Sequence, residues 1–173
     1  MNRGKKVIVL AHCILNQNSV VYPYGKNMKE FKKFIMESLE QNIGIVQLPC
    51  PELRAYGLKR WGHVKDQFEY REMEDIIKKL LKPYVDEIIN YKNNGYEIEG
   101  IYGIKGSPSC GISLTCRGNW SGEASSYESI EDIKSRVKMV EEKGIFMEIF
   151  EKLLFENNIE IKFLDVEDWK SFD

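Results

Sequence analysis

The sequence predicts an α/β fold: a three-layer, Rossmann-like domain with a mainly parallel sheet. Two observations carry this. Apolar segments of strand length alternate with amphipathic segments of helical period along the whole chain. Three of the four cysteines, Cys13, Cys50 and Cys110, stand just past the end of such a strand segment. In a parallel sheet the strand C-termini share one edge, and ligands bind there. The three thiols are therefore predicted to converge at the strand C-terminal edge.

Each element follows from local pattern. Lys5 to Ala11 is the first strand, and the polar stretch Asn16 to Ser19 and then Tyr22-Pro23-Tyr24-Gly25 form a loop. Asn27 with Glu30 three residues on resembles a capping box. Phe31, Phe34, Ile35 and Leu39 repeat behind it at helical spacing until Asn42. The second strand is Ile43 to Leu48, and Pro51 to His63 has loop chemistry. A long helical stripe runs from about Gln67 to Ile89, where Pro83 predicts a kink or a restart. Asn93-Asn94-Gly95 stops it. Glu97 to Ile104 is the third strand, and Gly106 to Gly122 is an irregular loop holding Cys110 and Cys116. Ser129 caps a helix with Ile130, Ile133, Val137 and Val140 on one face. Gly144 separates it from a helix over Ile145 to Glu156, and Ile159 to Leu164 is the fourth strand.

Composition bounds the function. A chain of 173 residues, 43% hydrophobic, has the size and core of one domain, 1–173. Its net charge is −2 and its pI about 5.9, so it lacks the basic field that grips extended nucleic acid. A small-molecule substrate fits better. No run of about 18 apolar residues is present to span a membrane, and no stretch reads as a signal peptide. The expected compartment is the cytoplasm, where thiols stay reduced. There is no Cys-x-x-Cys pair, which removes the usual signature of thioredoxin-type redox chemistry and zinc ribbons.

Free cysteines are ordinarily small core residues. That reading weakens when three occupy equivalent positions after strands. Pro49-Cys50-Pro51 fixes the backbone on both sides of one thiol, and Gly111 lets backbone approach Cys110. Thiolates select zinc, Cu(I) or iron–sulfur clusters. A structural zinc wants a fourth ligand, which Cys116, His12 or His63 would supply. A cluster held by three cysteines leaves one iron open as a Lewis acid. Glu52, two residues after Cys50, and Ser107 and Ser109 are candidates for moving protons and orienting water. As alternatives, Glu52 is a solvated loop carboxylate and the Ser-Pro pair starts a turn. Arg54, Arg60 and His63 follow Cys50 in a loop that is either solvated or contacts an anion. Tyr22, Tyr24, Tyr56 and Trp61 either stack on a flat heterocycle or fold down onto the core.

Three segments together resemble the TudS-like 2-thiouracil desulfidase family: Ala11-His12-Cys13-Ile14-Leu15, Leu48-Pro49-Cys50-Pro51-Glu52 and Gly106-Ser107-Pro108-Ser109-Cys110-Gly111. The likeness covers nearly the whole chain. It implies an oxygen-sensitive four-iron, four-sulfur (4Fe-4S) cluster on Cys13, Cys50 and Cys110, with Glu52 and Ser107 as catalytic residues. Two segments depart from the family pattern. A second cysteine and an Arg-Tyr-Asp-Gly segment usually follow the first cysteine, where this chain has Asn16 to Gly25. A Pro-Thr-Pro-Arg segment is replaced by Gly57-Leu58-Lys59-Arg60-Trp61. The chain reads as a divergent branch with a rebuilt pocket wall.

The implied activity is non-redox removal of sulfur from a thiolated uracil-type compound, by hydrolysis at the open iron. Glu52 activates water, and Ser107 orients substrate or relays a proton. Two other readings stand beside it. One is a non-catalytic iron–sulfur or metal-binding module that handles sulfide or iron. The other is a zinc hydrolase built on His12 or His63.

Overall fold

A computed structural model describes residues 3–27 and 29–172, without the Glu30 side chain. Four strands form a parallel sheet in the order β2-β1-β3-β6: β1 (Lys6–Leu10), β2 (Gly44–Gln47), β3 (Glu97–Gly103) and β6 (Phe163–Asp165). Val7 to Leu10 of β1 are all buried, as expected of a central strand covered on both faces. Right-handed crossovers set the layers. The chain moves from β1 to β2 in one direction and from β2 through β3 to β6 in the other. Helix α2 (Lys29–Glu40) therefore lies on one face, and α4 (Arg71–Asn93) and α6 (Ile145–Glu156) lie together on the opposite face. The order reverses between β1 and β3, so the switch-point crevice opens beyond those two C-termini.

Each helix buries an apolar stripe. Phe31 and Phe34 of α2, Met73, Ile77, Leu81, Val85 and Ile88 of α4, and Phe146, Phe150 and Leu154 of α6 are all buried. The C-terminal segment closes the α2 face. Phe34 meets Tyr102 at 4.8 Å and Trp169 at 5.0 Å between ring centroids, in tilted and edge-on geometries that favour aromatic pairs.

The expected alternation holds, and several details differ. Asn27 does cap: its Oδ1 accepts the Lys29 N–H at 3.0 Å, while the Glu30 half of the expected box lies outside the described residues. Helix α4 runs through Pro83 without a restart. It begins only at Arg71, because Gln67 belongs to a preceding 3-10 turn. There its side chain accepts the Val64 N–H and donates to the Trp120 carbonyl. The helix capped by Ser129 is short, α5 (Ile130–Ser135). Val137 and Val140 are not on it. They open and close β5 (Val137–Val140), which pairs antiparallel with β4 (Thr115–Gly118). Tertiary pairing of β-branched residues here outweighs a helical spacing that reads equally well in sequence. Strand β6 starts at Phe163 rather than Ile159, since β3 offers a partner only from Ile101 to Gly103. Two further helices are absent from the sequence reading: α1 (His12–Leu15) and α3 (Pro51–Tyr56).

Candidate active site

Both of these short helices begin at the C-terminal edge of the sheet and carry or cap a cysteine. Cys13 lies in α1, directly after β1. Cys50 is the N-cap of α3: its Sγ accepts the Leu53 N–H at 3.4 Å. Pro51 takes the first helical position, where its missing N–H costs nothing, and Gly57 at φ +73° ends the helix. A Pro-Glu pair after a capping residue is a helix-start signal, so α3 was readable in the sequence.

Cys110 sits in the loop after β3, and backbone atoms hold that loop tightly. The N-terminal amides of α6 donate into it: Ile145 to the Pro108 carbonyl, Phe146 and Met147 to that of Ser109, at 3.0 to 3.3 Å. These are the donors a helix start leaves without partners, and here the cysteine loop satisfies them. Gly144 N–H donates to the Gly111 carbonyl at 2.9 Å. From the far side, both Asp165 carboxylate oxygens accept backbone amides, of Ile112 at 3.2 Å and Ser113 at 3.0 Å. Asp165 and Gly144 were not recognised as supports from sequence, because their partners are distant backbone atoms.

The three thiols share one volume. They follow β2, β1 and β3, which are neighbours, and Cys13 responds electrostatically to Cys50, and Cys110 to both. Burial pushes the Cys13 thiol up to about 12, with Cys50 and then Glu52 adding to it. Burial pushes Cys110 well above the ordinary thiol value, with further contributions from Cys13 and Cys50. Cys50 is raised by burial too, opposed by the Leu53 N–H and Arg60. Deprotonating all three without a cation is costly. A donor set of this kind suits a multi-iron cluster, which compensates several thiolates at once. Among the described residues no group of three or more His, Cys, Asp or Glu side chains is arranged for a single metal ion.

Glu52 is not a solvated loop carboxylate. It lies in the first turn of α3 and is 7% exposed. Its Oε1 accepts the Ser109 hydroxyl at 2.7 Å, and Arg60 Nε faces its Oε2 at 3.4 Å. Ser109 is buried, with its Oγ 3.5 Å from Cys110 Sγ. Ser107 is one step further out: its Oγ accepts the Cys110 N–H at 3.0 Å and lies 3.4 Å from Ser109 Oγ. Of the two serines, Ser109 touches the carboxylate directly.

The other candidates have their own surroundings, and His63 Nδ1 is buried without a hydrogen-bond partner. Cys116, in β4, donates to the His63 carbonyl at 3.6 Å, and burial pushes its thiol up to about 11. His63 stacks on Tyr56 at 4.6 Å, and burial holds its pKa below the ordinary value. His12 Nε2 faces Asn16 Nδ2 at 3.4 Å. Tyr22, Tyr24 and Trp61 are exposed, while Tyr56 is partly covered by His63 and Phe68. No helix among the described residues is long and apolar enough to cross a membrane.

Comparison with known proteins agrees with the sequence motifs. The chain is 37% identical over 110 residues to an uncharacterized protein of Methanocaldococcus jannaschii, covering 64% of this chain and 70% of that protein. No solved structure matches it. Residues 5–165, which include every cysteine, Glu52, Ser107 and Ser109, match the family described as "Putative 2-thiouracil desulfurase", and the chain belongs to that family.

Proposed function

We propose that this protein is a desulfidase that hydrolyses a thiolated uracil-type compound to its oxo form and sulfide. The observation that carries the reading is a buried carboxylate, Glu52, held by Ser109 and Arg60 at the sheet edge, two residues from Cys50 and joined through Ser109 to Cys110. Family membership supports the reaction class. Cys13, Cys50 and Cys110 would hold a four-iron, four-sulfur cluster. When bound, that cluster supplies a Lewis-acidic iron for the thione sulfur, with no net electron transfer.

The chain's own residues do the proton work. Glu52 accepts a proton from water as the water oxygen attacks the thione carbon. A C–O bond forms, the C–S bond breaks, and both of the water's protons end on the departing sulfur, one of them passed on by Glu52, which is thereby restored as a base. One thione and one water thus give one oxo compound and one hydrogen sulfide. Ser109 donates to Glu52 Oε1 and fixes the direction of the carboxylate's remaining lone pairs. Ser107, within 3.4 Å of Ser109, extends that chain of hydroxyls, and its hold on the Cys110 amide keeps the thiol loop in register. The buried surroundings of Glu52 limit competing bulk water. A module that only stores iron or sulfide has no need of a carboxylate held at both oxygens.

The test is anaerobic reconstitution with iron and sulfide, then incubation with thiouracils, thiouridines and thionucleotides. Loss of thione absorbance with stoichiometric sulfide is expected for at least one. A protein with full cluster that converts none of them sinks the reading in favour of a binding module.

A further inference from the structure

Arg60 reads in the sequence as part of a loop that is either solvated or contacts an anion. In the structure its side chain is 3% exposed, and its guanidinium makes three separate connections. Nη2 donates to the Ser19 carbonyl at 2.6 Å, Nη1 to the Gly57 carbonyl at 3.1 Å, and Nε faces Glu52 Oε2 at 3.4 Å. Ser19 belongs to the loop after Cys13. Glu52 and Gly57 bracket the helix that Cys50 caps. Glu52 in turn accepts from Ser109, next to Cys110. One guanidinium thus reaches two of the cysteine loops directly and the third through Glu52.

We propose that Arg60 is a positioning residue for hydrolysis, setting the direction of the Glu52 carboxylate relative to the three thiols. The inference rests on the desulfidase reading. A planar guanidinium suits the task because its donors diverge in one fixed plane, so satisfying the two carbonyls determines where Nε points. A lysine ammonium cannot reproduce it. Such a group carries the same charge but has no rigid fork, so it leaves at least one carbonyl without its donor. The buried Ser19 and half-buried Gly57 carbonyls then bias the loops away from the arrangement that faces Glu52 toward the thiols.

The experiment compares wild type, Arg60→Lys, Arg60→Ala, Glu52→Gln and the Arg60→Lys/Glu52→Gln double variant, all reconstituted anaerobically. Arg60→Lys is expected to keep its iron and visible absorption, to lose about 10- to 100-fold in kcat, and to change KM by less than about threefold, as for a group that orders a catalytic neighbour. Millimolar guanidinium is expected to restore part of the Arg60→Ala activity, and ammonium is not. A readout without turnover is thermal unfolding of the full chain: the two single substitutions are expected to lower Tm by more, added together, than the double variant does. Wild-type turnover in Arg60→Lys, activity lost only in proportion to iron, or strictly additive Tm shifts would overturn the proposal. An inactive wild type with a full cluster overturns the desulfidase reading instead, and the additivity of the Tm shifts then decides whether Arg60 acts through Glu52.

Discussion

Cys50 has three structural partners packed into a few residues: the Leu53 amide on its sulfur, Pro51 behind it and Glu52 beyond. That density is why side chains here divide cleanly by role. Replacing Cys13, Cys50 or Cys110 by alanine is expected to remove most of the iron from reconstituted protein. Cys116→Ala is expected to keep it, since that thiol is spent on the His63 carbonyl. Iron and acid-labile sulfide per chain measure this, and a Cys116→Ala protein as depleted as the others would mean four protein ligands. Glu52→Gln is expected to retain visible absorption and lose about 10²- to 10⁴-fold in turnover, the usual contribution of a general base. Ser109→Ala should cost more than Ser107→Ala, because only Ser109 touches the carboxylate. Equal losses in single-turnover assays would shift the relay to Ser107. The residues named from sequence were legible because thiols after strands and a Cys-Pro-Glu segment are chemically distinctive. Asp165 was not, because its partners are backbone amides more than fifty residues away, which no local spacing encodes, and for Arg60 the sequence left open whether it was solvated or met an anion.

Elements, rather than single side chains, hold the Cys110 loop. Helix α6 abuts it so closely that a Cβ on Gly144 would stand 2.5 Å from the Ser109 carbonyl carbon and 2.9 Å from the Cys110 amide. Gly144→Ala is therefore expected to push the loop outward, costing about 1–3 kcal/mol as overpacking does. It should also lower iron occupancy more than its Tm shift alone explains. A Gly144→Ala protein that binds iron normally would mean the helix start gives way instead. The β4–β5 strand pair braces the same loop from outside, through Thr115 Oγ1 donating to the Ser107 carbonyl at 3.0 Å. The pair is itself clamped by Arg117, which bonds Glu69, Glu142 and Asp66. Arg117 and then Lys65 hold the Glu142 carboxyl below its ordinary range. Asp66 is also held low: the Gly118 amide and Arg117 outweigh a burial that pushes the other way. Carboxyls depressed in the folded state contribute stability above their unfolded values, about 4, and lose it as pH falls through the folded ones. Amide protection of β4 and β5 is thus expected to fall below pH 4 sooner than that of β1 and β3. Arg117→Ala should remove this pH dependence by loosening the β4–β5 pair already at pH 7. The strand pair was invisible in sequence because Val137 and Val140 fit a helix face as well as a strand.

At the scale of the whole molecule, the strand-and-helix alternation was legible because each long element buries one unambiguous apolar stripe, and the crossover rule then fixes the layers. The sheet order β2-β1-β3-β6 was not, since it depends on which strand finds which neighbour. That order has a consequence for maturation. The three thiols stand on loops that only the finished sheet brings together, and each loop is fixed by contacts to the others or to α6. An unfolded or half-translated chain offers a metal no preassembled claw. Folding is therefore expected to precede any loading of the three thiols. Refolding from denaturant is accordingly expected to proceed at the same rate with or without iron and sulfide, followed by mature chromophore appearing as a separate, slower event. A refolding rate that rises with iron concentration would mean the metal nucleates the site.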